Sequence, residues 1–258
     1  MKIALVILHA DPARGGAERY TVDLAAALAR RGHDVALVHA AWIAPRAIVR
    51  HVVGKPYRQI LLKAGGLTRT WRYRVFLKSL EDYLKHVEEF DVVHAMLPVR
   101  RCEVYHPHAG MAAQALVTTG WRSVFNPRRK LFAEVEGKLM AGPRRPVALC
   151  LSDYVKAEVL RHYPTFPAQR FATLFNAVDL DRFQPAATRP TRDYVNGLFI
   201  GQDFERKGLM AALLAASMLK EPRLKITVVG RRNPGFHPPP DAGAQVSFAG
   251  EVSDPRPF

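Results

Sequence analysis

Short apolar runs alternate with helix-like segments along most of this chain, and this alternation restricts the possible folds more than any other feature of the sequence. The predicted strands lie at residues 2–8, 34–39, 91–94, 103–106, 147–151 and 171–175. The predicted helices lie at residues 69–87, 126–140 and 153–163. Strands that helices separate pair in parallel, with helices on both faces of the sheet. The pattern therefore predicts an α/β fold with a doubly wound sheet, whose ligand binds beyond the carboxyl ends of the strands.

A second α/β pattern follows a polar, proline-containing stretch. We interpret residues 1–184 as an N-terminal domain, residues 185–193 as a linker and residues 194–258 as a second domain. The second domain has predicted strands at residues 194–200, 224–229 and 245–248 and a helix at residues 209–219. Three strands with one helix would leave apolar faces and edges in water. We therefore expect the second domain to be incomplete in this chain.

A pair of glycines separates the first predicted strand from the first helix. Gly15 and Gly16 lack Cβ atoms at a place where a ligand could approach the main chain. Gly32 is interpreted as the end of the helix. The inward helix face is predicted to comprise Ala17, Tyr20, Leu24, Ala27, Leu28 and Arg31. A plain connecting turn remains the alternative interpretation of the two glycines.

The segment LFIGQDFERKGL at residues 198–209 predicts an anion site. An apolar strand stops at Gly201, and Arg206 and Lys207 stand where the next helix begins. Backbone N–H groups at a helix N-terminus favour a phosphate, and a guanidinium beside an ammonium holds its oxygens in two different ways. A diphosphate fits this arrangement. The alternative is that both cations are solvated surface charges.

Composition is typical of a globular protein, with 48% hydrophobic and 24% charged residues in 258. Cys102 and Cys150 show no metal-ligand spacing, which predicts buried thiols in a reducing compartment. The first apolar run is short for a secretory signal and leads into a glycine turn. No run is long enough to span a bilayer. These features together predict a cytoplasmic location.

The formal net charge of +15 is concentrated in two stretches. Residues 45–78 contain nine Lys or Arg and no acidic residue, and residues 122–145 contain seven more with Glu134 and Glu136. Apolar and aromatic residues are interleaved with these cations, which suits an anionic lipid surface. Nucleic acid would attract the same cations, but no zinc-finger or RNA-binding signature supports it. A solvated basic face remains an alternative.

Four segments, in this order, resemble one enzyme family: GGAERYTVDLAAALARRGHDV, LSDYVKAEVLRHY, FNAVDLDRFQP and GQDFERKG. They are similar to the nucleotide-sugar-dependent retaining glycosyltransferases of family four, which have the GT-B fold. Within that family, EVYHPHAGM and GQDFERKG are most similar to the lipopolysaccharide core glucosyltransferase I group, which transfers glucose from UDP-glucose to an inner-core heptose. The resemblance implies two Rossmann-like domains facing a cleft, the first holding mostly the acceptor and the second mostly the donor.

The resemblance also implies roles for single residues. Arg206 and Lys207 would hold the donor diphosphate, Gly15 and Gly16 would let the first domain close against it, and Arg182 would add another cation.

A histidine would lie beside the reacting sugar, and His108 is the residue implied for this catalytic role. A structural role for His108 remains open, because the neighbouring His106 competes for the position. Glu18 is interpreted as a carboxylate that complements the helix dipole and not as an acid catalyst.

The implied reaction displaces UDP from the anomeric carbon with retained configuration. Negative charge grows on the departing diphosphate, where preorganised cations stabilise the transition state most. We therefore expect neither a metal nor a cofactor beyond the UDP-sugar substrate. No clear carboxylate nucleophile is found, which favours a front-side mechanism over double displacement. The acceptor would be a lipid-linked saccharide, and the enzyme would rest peripherally on the inner face of the cytoplasmic membrane.

The chain departs from the family's pattern in one respect, because a pair of glutamates seven residues apart does not occur after Gly208. We therefore expect these 258 residues to be inactive or nearly so by themselves. Two other classes remain open. A nicotinamide-dependent oxidoreductase would share the strand–glycine–helix opening, although a clean G-x-G-x-x-G is lacking. A non-catalytic basic protein that binds anions or membranes is the other alternative.

Overall fold

The computed structural model describes residues 1–42, 47–118, 126–181, 183–185, 193–205, 207–231, 235–239, 245–252 and 254–258. The chain forms two compact units, Met1–Asn176 and Ala177–Phe258. Most of the predicted linker, residues 186–192, lies outside the described residues. Each unit is described by itself.

The first unit contains eight described strands and five described helices. The strands are β1 (Lys2–Val6), β2 (Asp34–Ala41), β3 (Ile48–His51), β4 (Arg58–Lys63), β5 (Val92–Ala95), β6 (Val104–Tyr105), β7 (Val147–Cys150) and β8 (Phe171–Thr173). The helices are α1 (Gly16–Arg30), α2 (Arg69–His86), α3 (Ala112–Thr118), α4 (Pro127–Ala141) and α5 (Asp153–His162). A short 3-10 helix, Ala168–Arg170, precedes β8.

The strands form one sheet in the order β3-β4-β2-β1-β5-β6-β7-β8. Every neighbouring pair is parallel except β3 and β4, which are antiparallel. From β1 the chain builds the sheet toward β2 and β4, and it later resumes on the other side of β1 at β5. This change of direction makes the carboxyl ends of β1 and β5 the topological switch point, which is where open α/β sheets bind ligands. The predicted doubly wound α/β fold is confirmed.

Alternate residues of the central strands pack on opposite faces of the sheet, as the pleat requires. On one face, Ala4 and Val6 of β1 join Val38 of β2 and Phe76 of α2 in the larger core cluster. On the other face, Ile3, Leu5, Val35 and Leu37 pack against Val22 of α1. Each fully buried aliphatic side chain of this kind contributes about 1.5–3 kcal/mol relative to exposure.

Helix α1 buries a face that is rotated from the predicted one. Its fully buried residues are Thr21, Val22 and Ala25. The residues of the predicted face are only partly buried, apart from Arg31, which is exposed. The predicted end is confirmed, because Gly32 has φ 85° and follows the last turn. Small side chains lie at the centre of the contact because they let the helix approach the sheet closely.

The basic stretch at residues 45–78 contains two strands that sequence patterns missed, β3 and β4. Ile60 and Leu62 of β4 are buried in the core, as are Tyr73 and Phe76 of α2. In the second basic stretch, Leu131, Leu139 and Met140 of α4 are buried as well. These apolar residues fill the protein interior, so only the exposed apolar residues of the two stretches are available to a lipid surface.

The second unit contains three described strands and one described helix: β9 (Val195–Ile200), β10 (Leu224–Val229), β11 (Gln245–Gly250) and α6 (Leu209–Leu219). The strands are parallel in the order β11-β10-β9. Phe204, Leu209, Leu213, Ala216, Ile226 and Val228 form its core.

Cys102 and Cys150 are free and buried, and burial raises the pKa of the Cys150 thiol to about 11. Within the described part of the chain, no helix combines the length and the apolar character needed to cross a membrane.

Candidate active site

The N-terminus of α1 lies next to the switch point and carries the two predicted glycines. Gly15 is the N-cap residue, and no described side chain caps the helix there. A Cβ on Gly16 would meet no atom within 4 Å, whereas a Cβ on Gly15 would lie 3.2 Å from Oε2 of Glu18. There is open space beside Gly16 at the start of α1, where helix N–H groups favour a phosphate, and the Glu18 carboxylate lies beside Gly15.

His106 and His108 occupy different environments, although sequence patterns could not separate them. His106 is fully buried, and its Nδ1 lies 3.3 Å from Nε2 of His94. Burial, followed by the charges of His94 and His108, lowers the pKa of His106 to about 3. A buried neutral ring that pairs with a second histidine is typical of a structural residue.

His108 lies in the loop after β6 and remains half-buried. Its ring centroid is 4.7 Å from that of Tyr20 on α1. Burial lowers the pKa of His108, against the opposing effects of a hydrogen bond to Asn176 and the charge of Glu18. Among the described residues its buried Nε2 has no hydrogen-bond partner, which is also true of Nε2 of His106, so the two rings differ in exposure and not in this respect. A neutral imidazole with a free nitrogen can accept or donate a hydrogen bond to a sugar hydroxyl.

Glu136 of α4 fixes the loop that carries His108, and sequence reasoning missed it. Its carboxylate is fully buried. It accepts hydrogen bonds from Tyr105 Oη at 2.6 Å, from the N–H groups of Ala112 and Ala113 at 2.8 and 2.9 Å, and from Tyr163 Oη at 3.2 Å. Tyr105 precedes the loop and Ala112 begins α3 after it, so one side chain holds both ends. The signal was a carboxylate at helical spacing from Phe132 and Met140, on the apolar face of α4.

In the second unit, the predicted diphosphate-binding loop turns between β9 and α6. Gly208 has φ 79° and is the N-cap of α6 without a described side-chain cap. The Lys207 N–H donates to Asp203 O at 2.9 Å, and its side-chain Cγ lies 3.2 Å from where a Cβ on Gly201 would stand. Arg206 and Arg182, the other predicted cations, lie outside the described residues.

Two residues of this unit were missed, and both shape the loop. Phe204 is buried, with its ring centroid 5.4 Å from that of Phe236 and 6.2 Å from that of Phe248, so it anchors the loop in the core. A Cβ on Gly230 would lie 1.8 Å from the carbonyl oxygen of Gly201. The chain therefore requires glycine where the ends of β9 and β10 approach each other.

The structure brings part of the predicted site together. The first turn of α1 and His108 are neighbours, since Tyr20 contacts His108 and the Glu18 charge acts on it. Lys207 belongs to the second unit. In the described ranges, no three His, Cys, Asp or Glu side chains form a group able to hold a metal ion. The roles of Gly15, Gly16, His108, Arg182, Arg206 and Lys207 stay predictions.

A doubly wound parallel sheet followed by a second parallel α/β unit defines the class of GT-B proteins. The family model described as Glycosyltransferase Family 4 matches residues 14–182. Because this match covers more than half of the chain, the chain belongs to Glycosyltransferase Family 4 and is a glycosyltransferase. No individual curated protein matches it in sequence.

Solved structures agree with this fold at low sequence identity. WaaG, a glycosyltransferase involved in lipopolysaccharide biosynthesis, is 21% identical with a TM-score of 0.74, over 98% of this chain and 70% of that one. Sucrose-phosphate synthase from Thermosynechococcus elongatus is 19% identical with a TM-score of 0.66, over 97% and 70%. HepE from Anabaena, solved with UDP and glucose, is 15% identical with a TM-score of 0.55, over 98% and 70%. The predicted GT-B fold is confirmed.

Proposed function

We propose that this glycosyltransferase moves a hexose, glucose, from a UDP-sugar to a lipid-linked saccharide such as the lipopolysaccharide inner core, with retained configuration. The observation that carries the proposal is the uncapped, glycine-opened N-terminus of α1 beside His108, whose lowered pKa keeps it neutral. The donor is further supported by HepE, which was solved with UDP and glucose, and the acceptor by WaaG, which is involved in lipopolysaccharide biosynthesis.

In the proposed reaction, an acceptor hydroxyl oxygen forms a bond to the anomeric carbon as the bond from that carbon to the UDP oxygen breaks. UDP leaves with the bonding electron pair, and the hydroxyl proton passes to the departing phosphate oxygen on the same face of the sugar. Negative charge therefore grows on the diphosphate, where Arg206 and Lys207 stabilise it, with Arg182 adding a further cation. Neither a metal nor a cofactor takes part in this proposal.

His108 would orient the donor sugar by holding one of its hydroxyl groups with Nε2. A neutral ring suits this role better than a charged one, because it can accept as well as donate a hydrogen bond. Its contact with Tyr20 and the hydrogen bonds of Glu136 at both ends of its loop restrict its position. Preorganisation of this kind lowers the entropy cost of reaching the transition state.

A basic patch with exposed apolar side chains supports a peripheral position on the inner face of the cytoplasmic membrane. The patch comprises Leu67, which is 99% exposed, Trp71, which is 62% exposed, and the exposed cations Lys63, Arg74 and Lys78. An exposed tryptophan beside cations suits an anionic leaflet. Such docking would bring a lipid-linked acceptor within reach.

Nucleotide binding tests the proposal. We expect UDP to raise the thermal midpoint of the protein and NAD to leave it unchanged. The double variant R206A/K207A should bind UDP at least about tenfold more weakly, since each lost charge-assisted contact costs about 1.5–3 kcal/mol. Arg223→Ala, which removes an exposed arginine of the same unit, serves as the control. Unchanged UDP affinity in the double variant would refute the donor site, and vesicle binding without any nucleotide effect would favour a non-catalytic surface protein.

A further inference from the structure

A cavity of about 400 Å³ lies beyond the carboxyl ends of β5 and β6 and is lined by three arginines. Arg69 is the first residue of α2, and Arg128 and Arg129 lie in the first turn of α4. The other lining residues are mainly apolar, including Met96, Leu97, Met111 and Phe132. Among the described lining residues there is no Asp or Glu. The charged side chains that line the cavity are therefore all cationic, and the nearest described carboxylate, Glu136, lies behind the wall on Tyr105 and Ala112.

A mostly buried arginine elsewhere in the same unit shows how this fold compensates such a charge. The side chain of Arg58 is 14% exposed, and its guanidinium lies 2.5 Å from Glu88 and 3.3 Å from Asp34. These carboxylates raise the pKa of Arg58, and the hydrogen bond that Arg58 donates to Glu88 contributes most. A cation removed from water is costly unless an anion accompanies it.

Arg128 has no such compensation within the described part of the chain. Its guanidinium lies 5.2 Å from the ring centroid of Phe132, and no described carboxylate is among the groups that shift its pKa. The neighbouring residues 119–125, TGWRSVF, contain no acidic residue that could serve as a counter-ion. A half-buried arginine kept without an anion is more typical of a binding site than of a structural contact.

Two titratable groups are affected by the uncompensated charge. Burial and then the charge of Arg69 lower the pKa of Arg128. Burial, followed by the charges of Arg14 and Arg128, lowers the pKa of His9, close after β1, to about 4. Neither α2 nor α4 carries an acidic residue in its first turn, where helices favour one. Asn126 and Thr68 already accept the backbone N–H groups there, so the donors considered for a ligand are the guanidinium groups of Arg69 and Arg128.

We propose that Arg69 and Arg128 bind a phosphate group carried by the saccharide acceptor. A phosphate monoester offers several oxygens to two guanidinium forks, and the cavity volume lies in the range that accommodates a small ligand. Pro107, Ala109 and Gly110 also line the cavity, so the phosphorylated sugar would lie beside the loop of His108. This inference rests on the proposed glycosyltransferase function, and it adds a requirement for negative charge on the acceptor.

The test is a titration of the full chain, saturated with UDP to fill the donor site, with glucose 6-phosphate and with glucose. We expect the wild type to bind the sugar phosphate and not the neutral sugar. Arg128→Gln and Arg69→Gln should each weaken that binding at least about tenfold. Arg128→Lys should restore part of it, because an ammonium keeps the charge but not the fork. Arg30→Gln, at the exposed end of α1, removes an equal charge and should change nothing.

Thermal midpoints and UDP affinities of the variants separate a folding defect or a failed donor site from a failed phosphate site. Arg69 is exposed, so its variant provides a folded test even where Arg128→Gln unfolds. Equal glucose 6-phosphate binding by the wild type and Arg69→Gln would overturn the proposal. A second titration uses phosphatidylglycerol vesicles. One outcome would assign the cavity to a lipid headgroup instead of the acceptor: both cavity variants lose vesicle binding, and the wild type does not bind glucose 6-phosphate. In that case the proposed acceptor phosphate site is wrong.

Discussion

The carboxylate of Glu136 is the most constrained charged group near the candidate site. It is fully buried, and two tyrosine hydroxyls and two backbone N–H groups hydrogen-bond to it. Four donors occupy all its acceptor positions, which is the condition under which a buried charge is tolerated. The residue thus ties α4 to both ends of the His108 loop.

We predict that Glu136→Gln destabilises the protein. The amide NH2 group of glutamine would face tyrosine hydroxyls and backbone N–H groups that are themselves hydrogen-bond donors, so some of these donors would lose their acceptor. The expected loss is about 2–3 kcal/mol, as for buried donors left without acceptors. Urea unfolding measures it. Glu134→Gln is a matched control on the same helix, since Glu134 is exposed and pairs with Lys138 at 2.6 Å. Equal stability of the two variants would contradict the role assigned to Glu136.

The two histidines of the loop should respond differently to substitution. We predict that His108→Ala, introduced into a form of the protein with measurable turnover, lowers that turnover by about 100-fold, the scale of a lost transition-state contact, with little effect on the thermal midpoint. His106→Ala should lower the thermal midpoint, because it removes a fully buried ring paired with His94. Turnover and thermal unfolding of both variants are compared with His86→Ala, which changes an exposed residue. The reverse pattern would assign the site to His106.

At the scale of elements, an ion-pair network holds β1, β4 and the end of α2 together. Glu88 accepts from Arg58 at 2.5 Å, from Lys2 at 3.2 Å and from Tyr83 at 3.0 Å. The hydrogen bond from Arg58 is the largest cause that lowers the pKa of Glu88 from 4.5 to about 2. The network therefore links three elements through one carboxylate.

This network predicts a pH dependence of stability. Because the folded-state pKa of Glu88 lies below its ordinary value, the stabilisation is fully present above pH 4.5 and is lost as the pH falls toward 2. Its size is about 3 kcal/mol from the shift. Glu88→Gln should be less stable at pH 7 and lose less stability between pH 5 and 2.5, as urea unfolding would show. Glu81→Gln, at an exposed pair with Arg100, should follow the wild type, and an unaltered acid profile in Glu88→Gln would argue against the network.

The elements that sequence patterns predicted are those with a simple period. The predicted boundaries of α6 and β10 agree with the structure, because both segments are apolar and clearly bounded. Strand β4 was missed because its sequence, RQILLK, lies in a basic stretch that masked the burial of Ile60 and Leu62. Its place between β2 and β3 comes from parallel pairing with β2, a contact distant in sequence. Local sequence patterns do not predict pairing between strands that are distant in sequence.

At the scale of the whole molecule, the net charge of +15 creates a positive field that favours anionic surfaces. We predict that the protein binds phosphatidylglycerol vesicles at low salt and dissociates from them as the salt concentration rises. The reason is that salt screens the attraction between exposed charges, with a Debye length of about 10 Å at 0.1 M. The double variant R74Q/K78Q should bind roughly 30-fold more weakly, at about 1 kcal/mol for each cation near the surface. The matched variant R30Q/R31Q should bind like the wild type. Vesicle sedimentation measures all three, and equal binding to neutral vesicles at high salt would exclude an electrostatic dock.

The candidate site was only partly predictable from sequence. Gly15 and Gly16 follow a buried strand and open a helix, a pattern that indicates from the residue types alone a place where a ligand could approach the main chain. His108 could not be distinguished from His106 in the sequence. The two histidines differ in burial, and sequence spacing does not reveal burial. Glu136 and the arginine cavity were missed because their partners come from separate elements. Arg69 and Arg128 are far apart in sequence and line one cavity only after α2 and α4 pack on the same sheet.

The order of apolar and amphipathic segments by itself determined an α/β chain with a doubly wound sheet, since strand and helix periods are local properties. The family motifs are likewise local, because each is a short run of adjacent residues. Tertiary structure decided which apolar residues of the basic stretches fill the core, which histidine stays accessible and which arginine lacks an anion. The physical reason is that burial and charge compensation depend on neighbours that long-range packing supplies, and no local stretch of sequence specifies them.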